Sequence, residues 1–421
     1  MTVDVLPTQR PAFGRRHVHA VAGCYFVASF AALGLPPYLT QILPEFGAGA
    51  ARWAGLLYVV PTVFGGLGAP LWGRLADRFG RKRLLLRAQL GLTLAFLLAG
   101  WADSLTTFTA ALVLQGILGG TFAASNGYLG AALDGPSLSR ALTLMQGSAR
   151  AALVAAPIVV GSLSDWISPH RQYALLAVLP LTAALLLAAL PEPARTEADG
   201  ARTVTGTEPP PSPDDPELTT LQPPVAATPT TGAARPPVSL RTLYTLEFAF
   251  VFSTVISFPY LIALVEDRIP QASSTLSGLL FALPHLCYLA GALAVHRAVQ
   301  HRPLAGIALG FLLIALGLAG HGVADSLANL VAVRLVLGAG MTLGLVCLSV
   351  LAADCAEGRA PGGLFGSLEF FSKAGAVAAG VAAAAGSARF GPAAPVWTGG
   401  AAALLTVGAT ALLSLRTRWS R

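Results

Sequence analysis

Long apolar runs separated by short polar segments make up most of the chain. A helix that crosses a bilayer needs roughly 20 mostly apolar residues, and twelve stretches of suitable length follow one another. They cover residues 17–43, 52–73, 83–102, 105–133, 139–167, 171–190, 243–266, 274–296, 303–322, 326–354, 362–388 and 393–415. This pattern predicts an all-α membrane protein with twelve transmembrane helices, which we number as spans 1–12 in chain order.

The apolar pattern gives way to a polar one at residues 191–242. This segment is rich in proline, threonine and acidic residues, and it contains Pro209-Pro210-Pro211 and Asp214-Asp215. Such a composition cannot bury a core, so we expect a disordered cytoplasmic linker, either a simple tether or a regulatory element. The resulting units are an N-terminal tail (1–16), a six-helix half (17–190), the linker (191–242), a second six-helix half (243–415) and a C-terminal tail (416–421).

Composition supports a membrane protein, and the distribution of charge predicts its orientation. Charged residues make up 11% of the chain, whereas soluble domains average about 25%. If both termini are cytoplasmic, 20 of the 27 lysines and arginines lie in cytoplasmic segments and four lie in loops on the other side. This is the positive-inside asymmetry. The net charge of +7 therefore reports topology in an inner (plasma) membrane and does not predict a nucleic-acid partner.

The sequence gives no indication of a signal peptide, a metal site or an enzyme. The first sixteen residues are polar, and the apolar run that follows is too long for a signal core. The four cysteines lie in or at the ends of predicted spans, without the spacing of a zinc site. Neither a nucleotide-binding glycine loop nor a cluster of metal ligands occurs. We therefore expect no cofactor and no catalytic activity.

The two predicted halves share an internal repeat. Pro37-Tyr38-Leu39 in span 1 matches Pro259-Tyr260-Leu261 in span 7. Residues 55–61 in span 2 match residues 278–284 in span 8, and the offset stays at 222–223 residues across four pairs of spans. A constant offset indicates two six-helix units related by an axis along the membrane normal.

A short, strongly basic string lies between spans 2 and 3. It reads Gly73-Arg74-Leu75-Ala76-Asp77-Arg78-Phe79-Gly80-Arg81-Lys82-Arg83. Every fixed position of the pattern G-x-L-x-D-R-x-G-R-K/R-x is filled, and the string resembles the loop between helices 2 and 3 of major facilitator superfamily (MFS) transporters. With the repeat, the resemblance extends over nearly all of the chain outside the tails and linker. It implies the MFS fold, a substrate cavity between the halves, and alternating access by rocking.

The resemblance also implies a cytoplasmic latch that holds when the opposite side is open. In it, Asp77 would contact the N-terminus of span 11, where free N–H groups favour an anion. Arg81 would pair with Asp134 at the inner end of span 4. The candidate latch residues are Gly73, Asp77, Arg78, Gly80, Arg81 and Asp134. The alternative is that the basic residues serve only topology and lipid headgroup contact.

Ionisable residues inside predicted spans are the main candidates for a transport site. A charge at mid-bilayer costs roughly 2.5–3.5 kcal/mol on insertion scales and usually faces a cavity. These candidates are Arg150, Glu247, His285, Arg334, Glu369 and Lys373. Because Arg150 and Lys373 are separated by the repeat offset, we expect both to face one central cavity. They would bind an anionic group while Glu369 carries the coupling proton, or Glu369 and Lys373 would form an i,i+4 ion pair that only fastens span 11.

Other residues complete the candidate site. Glu247 and His285 are alternative proton carriers. The candidate substrate-binding residues, besides the two cations, are Arg334, Gln146, Asn126, Tyr38 and Tyr260. Many proton-coupled MFS exporters carry an R-x-x-Q-G string in span 4; this chain has Leu112 at that arginine's position and an arginine, Arg334, at the repeat-equivalent position of span 10.

These features predict a monomeric MFS transporter that couples efflux of a small organic molecule to protons. The paired cations favour an anionic or carboxylate-bearing substrate of the organic acid or siderophore type. The alternatives are a multidrug exporter and a proton symporter that imports a metabolite. The predicted partners are the lipid bilayer, the small-molecule substrate and protons. A membrane enzyme or receptor is the alternative from another class, and no motif supports it.

Overall fold

The structure, a computed structural model, describes residues 14–133, 135–190, 238–299, 302–356 and 361–419. All regular elements within these ranges are helices. The predicted linker lies outside the described residues except at its end, where Leu240 begins a helix. The Ser239 hydroxyl caps that helix by accepting a hydrogen bond from the Thr242 amide, which satisfies one of the free donors of a helix start.

The first half contains spans 1–6. Its helices are α1 (Arg15–Gly34) and α2 (Leu39–Ile42) in span 1, α3 (Ala54–Phe79) in span 2, α4 (Arg81–Gly100) in span 3, α5 (Leu105–Leu118) and α6 (Thr121–Ala132) in span 4, α7 (Gly135–Leu163) in span 5, and α8 (Pro169–Leu176) and α9 (Val178–Ala188) in span 6.

The second half contains spans 7–12. Its helices are α10 (Leu240–Val255) and α11 (Leu261–Arg268) in span 7, α12 (Ser274–Val299) in span 8, α13 (Pro303–Val323) in span 9, α14 (Leu327–Ala356) in span 10, α15 (Pro361–Phe390) in span 11 and α16 (Ala394–Trp419) in span 12. Across both halves, eleven helical segments are long and apolar enough to cross a membrane, and the shorter apolar helix α5 belongs to span 4. The predicted twelve-helix membrane fold is confirmed.

Spans 1 and 7 are interrupted at their repeated proline-tyrosine sequences. Each changes to a short 3-10 turn, at Pro36–Tyr38 and at Phe258–Tyr260, before the α-helix resumes. Proline has no N–H to continue the α-helical ladder, so the interruption occurs where the sequence places it. The sequence analysis did not anticipate the break in span 4, where Gly120 adopts φ +85° between α5 and α6.

The halves pack against each other along two helix pairs, span 5 with span 8 and span 2 with span 11. The repeat makes span 2 equivalent to span 8 and span 5 equivalent to span 11, so the two pairs are exchanged by the pseudo-twofold. Glycines allow the backbones to approach closely: Gly55 lies against the Gly380 carbonyl, and its repeat partner Gly278 lies against the Pro157 carbonyl. Small residues are the usual means of tight helix packing in membranes.

Two ends of the bundle can be distinguished by their composition. We call the end that carries Arg78, Gly80 and Arg81, where spans 2 and 3 meet, the basic end. The other end, where Tyr38 and Tyr260 lie, we call the opposite end. Leucines along the outer surface are exposed in the bare protein, among them Leu185, Leu293 and Leu405, as expected for helices that face lipid.

Candidate functional site

A cavity of about 480 Å³ occupies the first half and reaches the basic end. It runs from Pro36 and Tyr58 to Ala76 and Arg81. The lining residues are Ala32, Leu33, Pro36, Tyr58, Pro61, Thr62, Gly65, Trp72, Ala76, Arg81, Leu84, Arg87, Leu92, Gln115, Gly116, Gly119, Gly120, Thr121, Ala124, Gly127 and Lys373. Spans 1–4 supply all of these except Lys373, which reaches in from span 11.

The charged residues of this lining are all cations. Arg81, Arg87 and Lys373 line the cavity, and within the described part of the chain no aspartate or glutamate does. In surroundings of low dielectric constant, cations of one sign create a potential that favours an anionic ligand. The position of Lys373 in this lining is compatible with its predicted role at a cavity.

Lys373 also forms an ion pair on its own helix. Its ammonium lies 3.3 Å from Oε1 of Glu369, one turn earlier, and both side chains are about half exposed. An exposed pair of this kind contributes little to stability, so it can be broken at small cost by a ligand or a proton. Both predicted interpretations of the pair therefore remain open.

Arg150 lies in a mixed cluster where the two halves meet, and it does not line the cavity. Its guanidinium lies 5.2 Å from the centre of the Tyr288 ring of span 8. It interacts electrostatically with Glu247 of span 7 and with Tyr25 of span 1. Glu247 in turn interacts with Glu369 and is within hydrogen-bonding reach of the Ser372 hydroxyl. The predicted cations thus belong to neighbouring sites, one in the cavity and one at the interface.

A third cation, Arg87, holds the break in span 4. Its guanidinium stacks 3.4 Å from the centre of the Trp72 ring and donates to the Ile117 and Gly119 carbonyls over 3.5 and 3.2 Å. The Trp72 indole donates to the same Ile117 carbonyl over 2.7 Å. These donors replace intrahelical partners that the carbonyls at the end of α5 lack. Sequence analysis did not select Arg87; its position inside α4 and the Gly119-Gly120 pair were the available signals.

The opposite end is closed by two tyrosines that are equivalent in the repeat. The Tyr38 hydroxyl donates to the Pro157 carbonyl over 2.6 Å and lies 3.1 Å from the Ser274 carbonyl of the second half. The Tyr260 hydroxyl donates to the Arg52 carbonyl over 2.9 Å and accepts from the Gly55 amide over 3.2 Å, both in the first half. The structure places these tyrosines in a buried contact between the halves, not in the cavity lining where the sequence analysis expected them.

Three more candidates lie away from the cavity lining. Gln146 is exposed on span 5, and Asn126 is half-buried, with an amide oxygen that has no hydrogen-bond partner in the described structure. His285 is buried in the second half between the rings of Phe258 and Phe281, and neither ring nitrogen has a partner among the described residues.

Arg334, the remaining candidate, is 1% exposed and donates to the Leu280 and Phe281 carbonyls of span 8. The expectation that it faces a substrate is not supported by this position, because it lies inside the second half.

The basic loop makes contacts with spans 4 and 6. Arg81 donates to the Gly127 carbonyl over 3.2 Å, and Lys82 donates to the Ala188 and Leu190 carbonyls at the end of span 6. Gly80 has φ +97° and joins α3 to α4, while Arg78 is exposed against the Phe79 ring. Asp134 and the side chain of Asp77 lie outside what the structure describes, as do the surroundings of Gly73, so the latch stays a prediction.

Comparisons with known proteins point to one family. A profile described as Major Facilitator Superfamily matches residues 21–319. Multidrug resistance protein MdtG of Yersinia enterocolitica is 33% identical over 171 residues, 39% of each chain. MdtG of Citrobacter koseri is 33% identical over 186 residues, 43% of this chain and 44% of the relative. The matched segments thus span less than half of the relatives' length.

Solved structures share the fold at low sequence identity. Human organic anion transporter MFSD10 (TETRAN) has a TM-score of 0.63 at 21% identity, over 95% of this chain and 100% of that one. A bacterial homologue of the human lysosomal transporter Spinster has a TM-score of 0.71 at 14% identity, over 97% and 98%. A D-xylose–proton symporter has a TM-score of 0.66 at 15% identity, over 93% and 95%. At these identities the likeness concerns the fold.

Proposed function

Because the chain belongs to the major facilitator superfamily, we propose that this multi-pass membrane transporter exports a small organic molecule by proton-coupled alternating access. The two ends of the bundle support the proposal: a cavity reaches the basic end, and tyrosine contacts close the opposite end. The positive-inside rule places the basic end and both termini in the cytoplasm of a cell with this protein in its inner (plasma) membrane. We therefore propose that the transporter works as a monomer and that this conformation is its inward-open state.

The charge of the cavity lining carries the proposal for the substrate. Three cations face the cavity, and the described lining contains no carboxylate, so an anionic or carboxylate-bearing molecule fits best. Lys373 belongs to the second half, whereas Arg81 and Arg87 belong to the first. An anion held between them would offset their mutual repulsion and draw the halves together at the basic end. Closure there would accompany opening of the tyrosine contacts at the opposite end.

Glu369 is the proposed proton carrier because its carboxylate pairs with Lys373 at the cavity. A proton on Glu369 breaks that pair and adds one positive charge beside the substrate. By linkage, an anion and the proton then bind more tightly together, whereas a cation and the proton compete. Competition produces exchange of substrate for proton. Joint binding moves both in one direction. For an anion that binds together with the proton, this coupling therefore predicts symport, the alternative, whereas export is predicted for a substrate that competes with the proton.

A second candidate function, export of several drugs, is favoured by the names of the MdtG relatives. In that case a cationic or neutral drug would approach Glu369 and leave Lys373 unused. Because the match spans less than half of these relatives, their names suggest a substrate class for this chain and do not assign one. The two candidates differ in which member of the Glu369–Lys373 pair transport requires.

The test is substrate-dependent proton flux in proteoliposomes that contain a pH-sensitive dye. We expect carboxylates to drive flux and Lys373→Ala to weaken their apparent affinity roughly 10- to 100-fold, the range for a lost charged hydrogen bond. Lys373→Arg should retain most activity. Arg297→Ala, an equal loss of charge at an exposed position, is the matched control.

Other outcomes would contradict the anionic assignment. Flux with cationic drugs that survives Lys373→Ala but is lost in Glu369→Gln would establish the multidrug alternative. No flux with carboxylates or drugs would reject both substrate classes.

A further inference from the structure

Span 8 contains a proline in the middle of a continuous helix. Pro284 lies within Ser274–Val299, and because proline has no N–H, the Leu280 carbonyl loses its normal partner four residues ahead. A buried carbonyl without a partner is unfavourable, more so where no water can reach it. A donor from outside the helix would therefore stabilise the bend that proline favours at this point.

Arg334 of span 10 supplies the missing hydrogen bond. Its Nε donates to the Leu280 carbonyl over 2.7 Å, and its Nη2 donates to the Phe281 carbonyl over 2.8 Å. The side chain is 1% exposed, so these bonds form in surroundings of low dielectric constant. The planar guanidinium spans two successive carbonyls, which a single ammonium cannot do in the same way.

One turn further along span 10, Gly338 lets the backbone of span 8 at Pro284 pack closely against span 10. A Cβ at Gly338 would lie 2.8 Å from the Cα of Pro284 and 2.7 Å from the sulfur of Cys287. Real Cβ atoms do not approach backbone this closely, so only glycine fits without displacement of span 8. Span 10 therefore holds the kink at two successive turns, by donation at Arg334 and by contact at Gly338.

A bend at Pro284 sets the direction of span 8 beyond the proline relative to the part before it, and both parts contact the first half. Tyr288 lies one turn beyond Pro284, and its ring is the one that Arg150 approaches across the interface. The equivalent kink region of span 2 keeps the proline and the glycine, with a Cβ at Gly116 only 3.0 Å from the Cα of Pro61. Leu112 stands there in place of the arginine.

We propose that Arg334 is a positioning residue: it completes the hydrogen bonding of the Pro284 kink and so holds Tyr288 against Arg150. Its action is local and needs neither titration nor contact with a substrate. Only its effect on transport depends on the proposed function. In the second half, the carbonyl freed by Pro284 is bonded by Arg334. In the first half, the equivalent proline is Pro61, and Leu112 stands at the position equivalent to the arginine.

The experiment is a double-mutant cycle between Arg334→Met and Pro284→Ala in the full-length protein. Alanine at position 284 restores an N–H for the Leu280 carbonyl, so it should make the arginine dispensable. The local readout is the alkylation rate of Cys287, which is half-buried beside the kink, after replacement of the three buried cysteines by alanine. We expect Arg334→Met to raise this rate roughly tenfold, and the added Pro284→Ala to restore it.

Arg334→Lys distinguishes hydrogen bonding to the two carbonyls from the mere presence of a positive charge. Arg334→Lys keeps the charge but reaches fewer carbonyls, so we expect an intermediate alkylation rate. Full replacement of the arginine by lysine, or no rescue by Pro284→Ala, would overturn the proposal. If Arg334→Met fails to fold, recovery of folded protein in the double variant is the supporting result and its absence the contradicting one. Because alkylation requires no substrate, the outcome does not depend on the proposed transport.

Discussion

Tyr38 and Tyr260 make the same kind of contact from opposite halves. The Tyr260 hydroxyl bonds to backbone groups of the other half. The Tyr38 hydroxyl donates to the Pro157 carbonyl of its own half and lies 3.1 Å from the Ser274 carbonyl of the other half. These backbone groups are available whatever side chain stands at those positions. The repeat in the sequence was sufficient to select both tyrosines. It could not place them, because a polar residue in a span can face a cavity or seal a contact between halves, and only packing distinguishes these.

Removal of either hydroxyl should weaken the closed opposite end. One neutral hydrogen bond is worth about 1 kcal/mol, so we expect Tyr38→Phe or Tyr260→Phe to raise the population open at that end roughly fivefold. The measurement is labelling of Thr62→Cys, which lines the cavity, by an impermeant thiol reagent added from the outside of vesicles. Tyr173→Phe, in the core of the first half, is the control. Equal labelling in all variants would show that the hydroxyls do not hold the contact.

Sequence analysis selected Lys373, Glu369 and Arg150 from their cost in a bilayer. The structure places Lys373 at the cavity, paired with Glu369, and Arg150 where the two halves meet, and the roles of all three stay a prediction. The sequence analysis did not select Arg87, since a cation near a span end serves topology equally well. It also treated Arg334 as a substrate ligand, because a sequence does not show that a proline elsewhere leaves a carbonyl unpaired.

At the scale of elements, the break in span 4 depends on backbone conformation. Gly120 has φ +85° with open space around it, whereas Gly130 lies in α6 with nothing within 4 Å and an ordinary helical backbone. We expect Gly120→Ala to destabilise the protein by about 1 kcal/mol or more. Gly130→Ala should be neutral or stabilise it by up to about 1 kcal/mol. Thermal unfolding of the two purified variants measures the difference, and identical melting temperatures would contradict a strained break.

The contact between spans 5 and 8 depends on a different property of glycine. A Cβ at Gly278 would overlap the Pro157 carbonyl and lie 2.7 Å from the Tyr38 hydroxyl, whereas Gly291 on the same helix has its nearest atom at 4.0 Å. We expect Gly278→Ala to force the opposite end apart and so increase labelling of Thr62→Cys from the outside. Gly291→Ala should leave labelling unchanged. Unchanged labelling in Gly278→Ala would mean that the helices separate without opening the end.

Elements were largely predictable because membrane helices follow apolar length. The twelve spans appear in the predicted order, and the proline-tyrosine sequences mark the interruptions of spans 1 and 7. The break in span 4 was missed because two glycines within an apolar run are equally compatible with an unbroken, closely packed helix. The extension of span 2 to Phe79 was also missed, since α3 continues through polar residues of the basic loop.

For the molecule as a whole, the pH dependence of substrate binding tests how the halves are coupled. Glu369 faces Lys373 on its own helix, Glu247 of span 7 and Tyr25 of span 1, with Arg150 of span 5 beside the same cluster. On the proposed mechanism, a proton on Glu369 would release Lys373, so binding of an anion should strengthen as pH falls, and binding of a cation should weaken.

Calorimetric measurement of substrate binding as a function of pH, in the unmodified protein and in Glu369→Gln and Glu247→Gln, identifies the proton carrier. We expect Glu369→Gln to remove the pH dependence and Glu247→Gln to keep it. The reverse pattern would assign the coupling proton to Glu247. No dependence in the unmodified protein would exclude proton coupling through this cluster.

The internal repeat predicts how the spans of the two halves pack, but not which end of the bundle is closed. A constant offset predicts which spans are equivalent and therefore that spans 2 and 11 should pack as spans 5 and 8 do. It does not predict which end is closed, because one repeat pattern is compatible with closure at either end. It also did not predict that the cavity belongs mainly to one half, since the repeat treats the halves as equal.

Because one half supplies nearly all of the cavity lining, the substrate specificity of such proteins can change in a particular way. Every lining residue within the described chain except Lys373 lies between positions 32 and 127, so the walls are encoded in one contiguous stretch. Recombination between related genes could exchange that stretch in a single event and transfer a new specificity intact. The other half would then provide the cation of span 11 and the backbone carbonyl beside the incoming tyrosine. The stretch that lines the cavity could in this way vary independently of the half that closes against it.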